Sequence, residues 1–356
     1  MNSYLAVAAL VLSVGVMFLL PLVPALAELG RKSDALPLNV VQQNAGDVRH
    51  FANGFRAYIK VLEPILEQCL KDGSTASGAL PDGVNYIVLG RTDEAAMLAF
   101  HPQDANHPLL VLAGTDLIVP SETTFPQDIY ARGHFAGGEK NSYRAILGDT
   151  SIYLGASTTV LRWVHAVGEF TAAGPGCTLY GRLSSDSLIR LHAACSFLRL
   201  NAPRIEIGIV DTDAPAHAQF FTGSNTPASP RFLYDGDFEV RAGQVITSDL
   251  VIRGKVRIGS GARISGSVKS VEDMAIEDGV SVEGSLISAR GMRIGPHCII
   301  HGPVVAEREL AIAAGTRCGS VEHPTTVSAP RIEVEEGVVL AGTLWAREQG
   351  LVVPSP

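Results

Sequence analysis

Residues 256–309 decide the fold, because they divide into three lines of eighteen: VRIGSGARISGSVKSVED (256–273), MAIEDGVSVEGSLISARG (274–291) and MRIGPHCIIHGPVVAERE (292–309). Set beneath one another, the lines keep apolar residues at the same places. Anchors fall at Val240, Ile258, Ile276, Ile294 and Ile312, and Val334 follows after four extra residues around His323-Pro324. Three places past the anchors stand Gly243, Gly261, Gly279, Gly315 and Gly337, with His297 the exception. Six places past them Ile246, Ile264, Val282, Ile300, Cys318 and Leu340 are all apolar, and ten places past them stand Leu250, Val268, Leu286, Val304 and Leu344. Fixed-period self-similarity near twenty residues is the mark of a solenoid.

The spacing selects strands over helices. Each line holds three short apolar clusters separated by glycine or polar corners, and no longer run of period 3.6 occurs. Three short strands per coil can face their apolar residues inward, while glycine supplies the corner conformations that side chains disfavour. One coil cannot bury its own core, so stability comes from stacking at about 4.8 Å per coil. The expected class is all-β, a β-helix.

Working outward, the pattern returns earlier. Asp128–Phe135 (DIYARGHF) matches Asp249–Val256 (DLVIRGKV) at a constant offset, and Leu154, Ala173 and Leu191 read as further anchors. Two β-helical blocks are expected, 115–208 and 236–356, separated by a linker or insert over 209–235 that is rich in Asp, Ala, Pro, Ser and Thr. Before them, residues 33–114 read as a small α/β segment. Val48, Phe51, Phe55, Tyr58, Ile59, Leu62, Ile65 and Leu66 mark an amphipathic helix capped by Asp47 and interrupted near Pro64, with strands at Tyr86–Leu89 and Leu109–Leu112. The mixed charges of its polar face point to packing on the strands rather than on a bilayer.

Residues 1–32 read as a membrane anchor. Tyr4–Ala27 carries no charge and is long enough to cross about 30 Å of hydrocarbon. Arg31 and Lys32 follow the run and none precedes it, which places the body in the cytoplasm. The alternative is a signal peptide cleaved after Ala27, at the small-x-small site Ala25-Leu26-Ala27, with the body exported.

The C-terminal block resembles the bactofilins, a bacterial family of polymer-forming cytoskeletal proteins. The resemblance rests on Val251-Ile252-Arg253-Gly254-Lys255-Val256-Arg257-Ile258-Gly259 and on the steps Gly266-Ser267-Val268 and Gly284-Ser285-Leu286, with Gly302-Pro303-Val304 as a variant. It implies a right-handed β-helix that polymerises end to end without nucleotide, often at a membrane, and organises envelope or polysaccharide assembly. A coil end carries unpaired N–H and C=O groups, which invite a partner. In the last coil Leu340, Leu344, Trp345, Leu351, Val352 and Val353 form either a self-association edge or a cap sealed by Pro354 and Pro356.

Two other classes compete. The period also equals three hexapeptides, the unit of left-handed β-helix acyltransferases, in which His297 or His301 would act as general base. Corner or surface histidines are the plainer reading, since no nucleophile or acid is patterned with them. A secreted carbohydrate-binding β-helix would need an aromatic ladder, but Tyr130, Phe135, Tyr153, Trp163, Phe170 and Tyr180 do not repeat at eighteen. No cofactor is expected. His134, His165 and His192 do not share a coil spacing, and Asp211 and Asp213 read as a solvated loop. The five cysteines, Cys69, Cys177, Cys195, Cys298 and Cys318, lack CxxC spacing and read as buried thiols.

Composition agrees. The chain has 356 residues, 46% hydrophobic, 18% charged and 6% aromatic, with 36 glycines and a net charge of −8. That balance argues against disorder and against a nucleic-acid partner, which needs a basic stripe. The expected partners are further copies of the chain, a membrane through residues 4–27, and envelope-assembly proteins.

Overall fold

In the computed structural model, residues 3–20, 23, 47–91, 109–208 and 231–355 are described. The chain divides into two units, Met1–Asp47 and Val48–Pro356. The first contains helix α1, Ser3–Leu19, whose described side chains are mostly exposed and apolar. Of the span expected over 4–27, residues 21, 22 and 24–27 lie outside the described residues. Helix α1 has 17 residues, about 26 Å at 1.5 Å per residue, and among the described residues no helix is long and apolar enough to cross a membrane.

The second unit opens with helix α2, His50–Ile59, a 3₁₀ turn at Lys60–Leu62, and helix α3, Glu63–Asp72. The interruption falls where Pro64 requires it: the proline occupies the first turn of α3, where its missing N–H costs nothing. The N-cap of α2 is Arg49, without a side-chain hydrogen bond, rather than Asp47. Ala52, Phe55, Ile59, Leu62, Leu66 and Cys69 form the buried stripe. It packs on Val88, Leu110, Leu112, Tyr130, Ala145, Leu147 and Trp163, so the helices cover one flank of the sheet.

Among the described residues, most of the rest of this unit is a β-solenoid of about 12 turns. Each coil of the second block has three faces. The first runs through Arg231–Tyr234, Asp249–Ile252, Val268–Ser270, Leu286–Ser288 and Val304–Ala306. The second runs through Phe238–Val240, Val256–Ile258, Met274–Ile276, Met292–Ile294 and Glu309–Ile312. The third runs through Val245–Ile246, Arg263–Ile264, Ser281–Val282, Ile299–Ile300 and Arg317–Cys318. All stack parallel, with Val240 on Ile258, Ile258 on Ile276, Ile276 on Ile294, Ile294 on Ile312 and Ile312 on Val334. The extra residues before Val334 leave the wall around Val321–His323 as an exposed turn. Corner glycines Gly243, Gly261, Gly279, Gly315 and Gly337 have φ between 65° and 91°, and His297 adopts the same left-handed corner at 54°.

The first block follows the same rules with a shifted register. Its anchor column is Val119, Gly137, Leu154, Ala172, Leu191 and Ile207, so Ala172, not Ala173, is the anchor. The extra residue lies in the corner Ala173–Cys177, since Ala172 pairs with Leu154 but Thr178 pairs with Thr159; a separate bulge between Leu179 and Arg182 holds Gly181, where a Cβ would collide with the carbonyl of Arg162. Its left-handed corners are Glu122, Lys140, Ser157, Gly176 and Ala194, four of them without glycine. Strand Leu110–Ala113 begins this block and pairs with Asn85–Leu89, which pairs in turn with Thr75–Ala79.

The two blocks do not run head to tail. Strand Ser196–Ile207, the last coil of the first block, lies antiparallel to Val339–Val353, the last coil of the second. The chain leaves the first block at Gly208, beside this junction, and resumes at Arg231 on the coil farthest from it. The two blocks therefore meet at their C-terminal ends.

Candidate association surfaces

The edge expected at the C-terminus is consumed inside the chain. Val339–Val353 pairs on one side with Thr325–Glu335 and on the other with Ser196–Ile207. Leu344 faces Leu200, Leu340 faces Ile205, and Leu351 faces Ser196. Leu340, Leu344 and Val352 are buried, Leu351 and Val353 are half-buried, and Trp345 lies beneath the guanidinium of Arg199 at 5.2 Å. The amide of Asn201 bonds the hydroxyl of Thr343 at 2.7 Å across the same seam. The C-terminal coil is neither a free edge nor a terminal cap; it is an internal seam.

The free coil end lies at the other extremity of the second block. Among the described residues, Arg231–Tyr234, Phe238–Val240 and Val245–Ile246 each pair on one side only. Phe232, Tyr234 and Phe238 stand where deeper coils place Leu250, Ile252 and Val256. With no coil above them they pack together, ring centroids 5.4–6.2 Å apart, and form a lid over the aliphatic core. That lid is incomplete: the inward-column residues Phe232 and Tyr234 remain 43% and 41% exposed, and the outward-facing Leu233 and Val245 beside them are 57% and 61% exposed. The inward residues Leu117, Val119 and Phe125 at the start of the first block are at most 2% exposed. Among the described residues, both coil ends carry a strand that pairs on one side only, Leu117–Val119 at the first block and Arg231–Tyr234 at the second, but only the second leaves large side chains of the inward columns exposed.

No family model, curated protein or solved structure matches this chain.

Among the described residues, the histidines singled out from the sequence lie apart from one another. His297 sits exposed on its corner, with its ring over Gly315 of the next coil, and His301 is half-buried just past Ile299–Ile300. His134 bonds the Ser151 hydroxyl at 2.6 Å, and His192 is exposed. Among the described residues no three His, Cys, Asp or Glu side chains converge as metal ligands; Asp211 and Asp213 lie outside the described residues. His165 is the closest approach to a catalytic arrangement, with Nδ1 2.9 Å from the Ser184 hydroxyl and Nε2 3.9 Å from Asp186. Both His165 and Ser184 are buried, so the serine meets no substrate. Burial holds the imidazole below its ordinary range against the opposing pull of Asp186. Asp186 is bridged to Arg49 at 2.8 Å, which ties the start of the helical layer to this strand. Nearby, Arg56 of α2 pairs with Asp149, whose other oxygen accepts the Tyr130 hydroxyl at 2.6 Å. These groups fasten the helices to the sheet.

All five cysteines are free and buried. Burial pushes Cys298 up to about 11 and Cys318 up to about 12, which suits inert core thiols. A groove of about 930 Å³ runs along the second face of the second block. Its outward column alternates Glu239, Arg257, Ala275, Arg293, Ala311 and Glu333, so it offers mixed charge and no apolar anchor. No sequence signal singled out Phe232–Tyr234. Its inward aromatic residues break the aliphatic columns only when the coils are aligned back to the first.

Proposed function

We propose that this chain is a non-enzymatic, bactofilin-like scaffold: a right-handed solenoid that self-associates end to end and organises envelope or polysaccharide assembly at a membrane. The observation that carries the reading is the open coil at 231–246, where unpaired strand edges and exposed apolar side chains coincide. Either feature alone is common on protein surfaces; together they make a template for another chain. The charge-free run Tyr4–Ala27 supports attachment to a membrane, since the apolar side chains α1 exposes on several sides call for lipid or protein cover. The long flanks of the solenoid supply the surface on which assembly proteins would be arrayed.

Sedimentation equilibrium of the full chain in mild detergent tests the self-association on which the reading depends. Species heavier than the 37.6 kDa chain are expected to grow with concentration. A single 37.6 kDa species at every concentration would remove the basis of the scaffold reading.

A further inference from the structure

Two arginines meet on one flank of the solenoid with no carboxylate between them. The register of the first block sets Arg182 beside Arg199 on consecutive coils, and the seam sets Arg199 opposite Trp345. The guanidinium of Arg182 lies over the ring of Phe51, in the first turn of α2, at 5.1 Å, and that of Arg199 over the ring of Trp345 at 5.2 Å. Phe51, Arg182, Arg199 and Trp345 thus form a row that runs from the helical layer across the seam to the second block. Tyr180 stands at the bulge just before Arg182, beside Leu161 of the preceding coil. Phe51, Leu161, Tyr180 and Trp345 are exposed, and both arginines are half-buried.

Elsewhere in this unit arginines find acids. Arg49, Arg56, Arg132, Arg144, Arg190 and Arg204 are each bridged to a carboxylate. Among the described residues, no carboxylate comes within bridging distance of Arg182 or Arg199, and the acids of this flank are engaged: Asp186 by Arg49 and Asp149 by Arg56. The chain has 36 acidic and 28 basic residues, so a shortage of carboxylates is not the cause. Neighbouring strands lie about 4.8 Å apart, and like charges directly opposite each other on a sheet are destabilising. Burial and the charge of Arg182 together pull the Arg199 guanidinium below its ordinary range. The cation–π contacts return part of that cost. A local charge conflict kept on an otherwise consistent scaffold marks a place that something else completes.

We infer that Arg182 and Arg199, framed by Phe51, Tyr180 and Trp345, form a docking site for an acidic segment of a partner protein, one carboxylate to each guanidinium. This deepens the scaffold reading, on which it rests for the partner's role, and requires no self-association. A guanidinium whose face lies on a ring keeps its N–H edge for an acceptor, and a carboxylate takes two such N–H groups at once. Apolar side chains beside those carboxylates would cover Leu161, Tyr180 and Trp345. The chemistry favours a protein over other polyanions. Aromatic residues together with arginine are the makeup of protein-binding hot spots, and arginine clusters read acidic motifs. Nucleic acid needs a basic stripe, and an anionic bilayer draws on about four or more clustered cations. A polysaccharide would use rings repeated from coil to coil, whereas Phe51, Tyr180 and Trp345 sit on a helix, a bulge and the seam.

The test is fluorescence anisotropy of the full chain in a non-ionic detergent, with a fluorescein-labelled peptide of six glutamates and two leucines and with its glutamine counterpart. Binding of the glutamate peptide alone is expected, weakening as salt rises. Arg182→Gln and Arg199→Gln are each expected to weaken it about tenfold. Arg253→Gln removes the same charge from an exposed bridge to Asp235 and should leave binding unchanged. Both site variants should melt no lower than the wild type, because each relieves the like-charge contact. Lost binding with intact melting supports the inference. A wild type that ignores the glutamate peptide would overturn it, whether the arginines are bare or covered by residues outside the described structure. Equal binding by the wild type and both site variants would overturn the site. Tighter binding of fluorescein-labelled oligogalacturonate than of the peptide would replace the protein partner with an acidic glycan. Self-association is read separately by sedimentation, so the two conclusions fail independently.

Discussion

Gly279 and Gly284 show two different reasons for glycine within one coil. Gly279 has φ of 65° and open space around its missing Cβ, so Gly279→Ala adds backbone strain alone, about 1–2 kcal/mol. At Gly284 a Cβ would lie 2.5 Å from the backbone of Gly266, so Gly284→Ala must push adjacent coils apart and is expected to cost more. Urea unfolding separates the two, and equal losses would refute the distinction. The converse applies at Ala194, a left-handed corner held by alanine: Ala194→Gly is expected to raise stability by about 1 kcal/mol. The second block's corners were legible because glycine marks them. Those of the first block were not, because Glu122, Lys140, Ser157 and Ala194 take the same conformation without a compositional sign; Lys140 and Glu122 even join by an ion pair across adjacent corners. His165 makes a pH prediction. Burial keeps it neutral in the fold, whereas the unfolded chain takes up a proton near pH 6.5, so stability should fall as pH drops below about 6.5. His165→Gln should flatten that part of the urea-midpoint profile between pH 8 and 5.5; an unchanged slope would exclude His165 as its source.

Among the elements, the helical layer was readable and the seam was not. The spacing from Phe51 to Leu66 foretold an amphipathic helix lying on strands, and Pro64 foretold its break, because both follow from local periodicity. Phe55 is its main anchor, buried with its ring 5.6 Å from that of Trp163. Phe55→Ala should cost about 3–5 kcal/mol and expose the helical segment first in hydrogen exchange. Exchange spread evenly over the unit would show that the layer is not a separate element. The antiparallel seam leaves no such trace. A repeat states what each rung contributes inward, and the same inward residues serve whether the next rung arrives from the same block or, reversed, from another. Leu340, Leu344, Trp345 and Leu351–Val353 were recognised as edge material for that reason, while the partner strand Ser196–Ile207 went unrecognised. Ala173 was misplaced by one residue because the corner after Ala172 holds one residue more than the corner after Leu154, while the spacings beyond it stay regular.

At the scale of the molecule, the composition follows from the architecture. Glycine at five of the six left-handed corners and three inward-facing walls per coil account for much of the apolar and glycine content of the second block, and few helices need charged faces. The meeting of the blocks at their C-terminal ends governs everything functional in this account: it buries one coil end and leaves the opening coil of the second block outward. That arrangement can be read directly by a disulfide between Asn201→Cys and Thr343→Cys, in a chain whose native thiols are all buried. Asn201 and Thr343 are opposite each other at the seam, 2.7 Å apart through their side chains. The expected result is a quantitative intramolecular disulfide under mild oxidation, seen by mass spectrometry of tryptic peptides. If the second block instead continued the first in the same direction, about six coils, on the order of 29 Å, would separate the two positions. Thiols that stay free, or that link only between chains, would contradict the antiparallel seam and the assembly built on it.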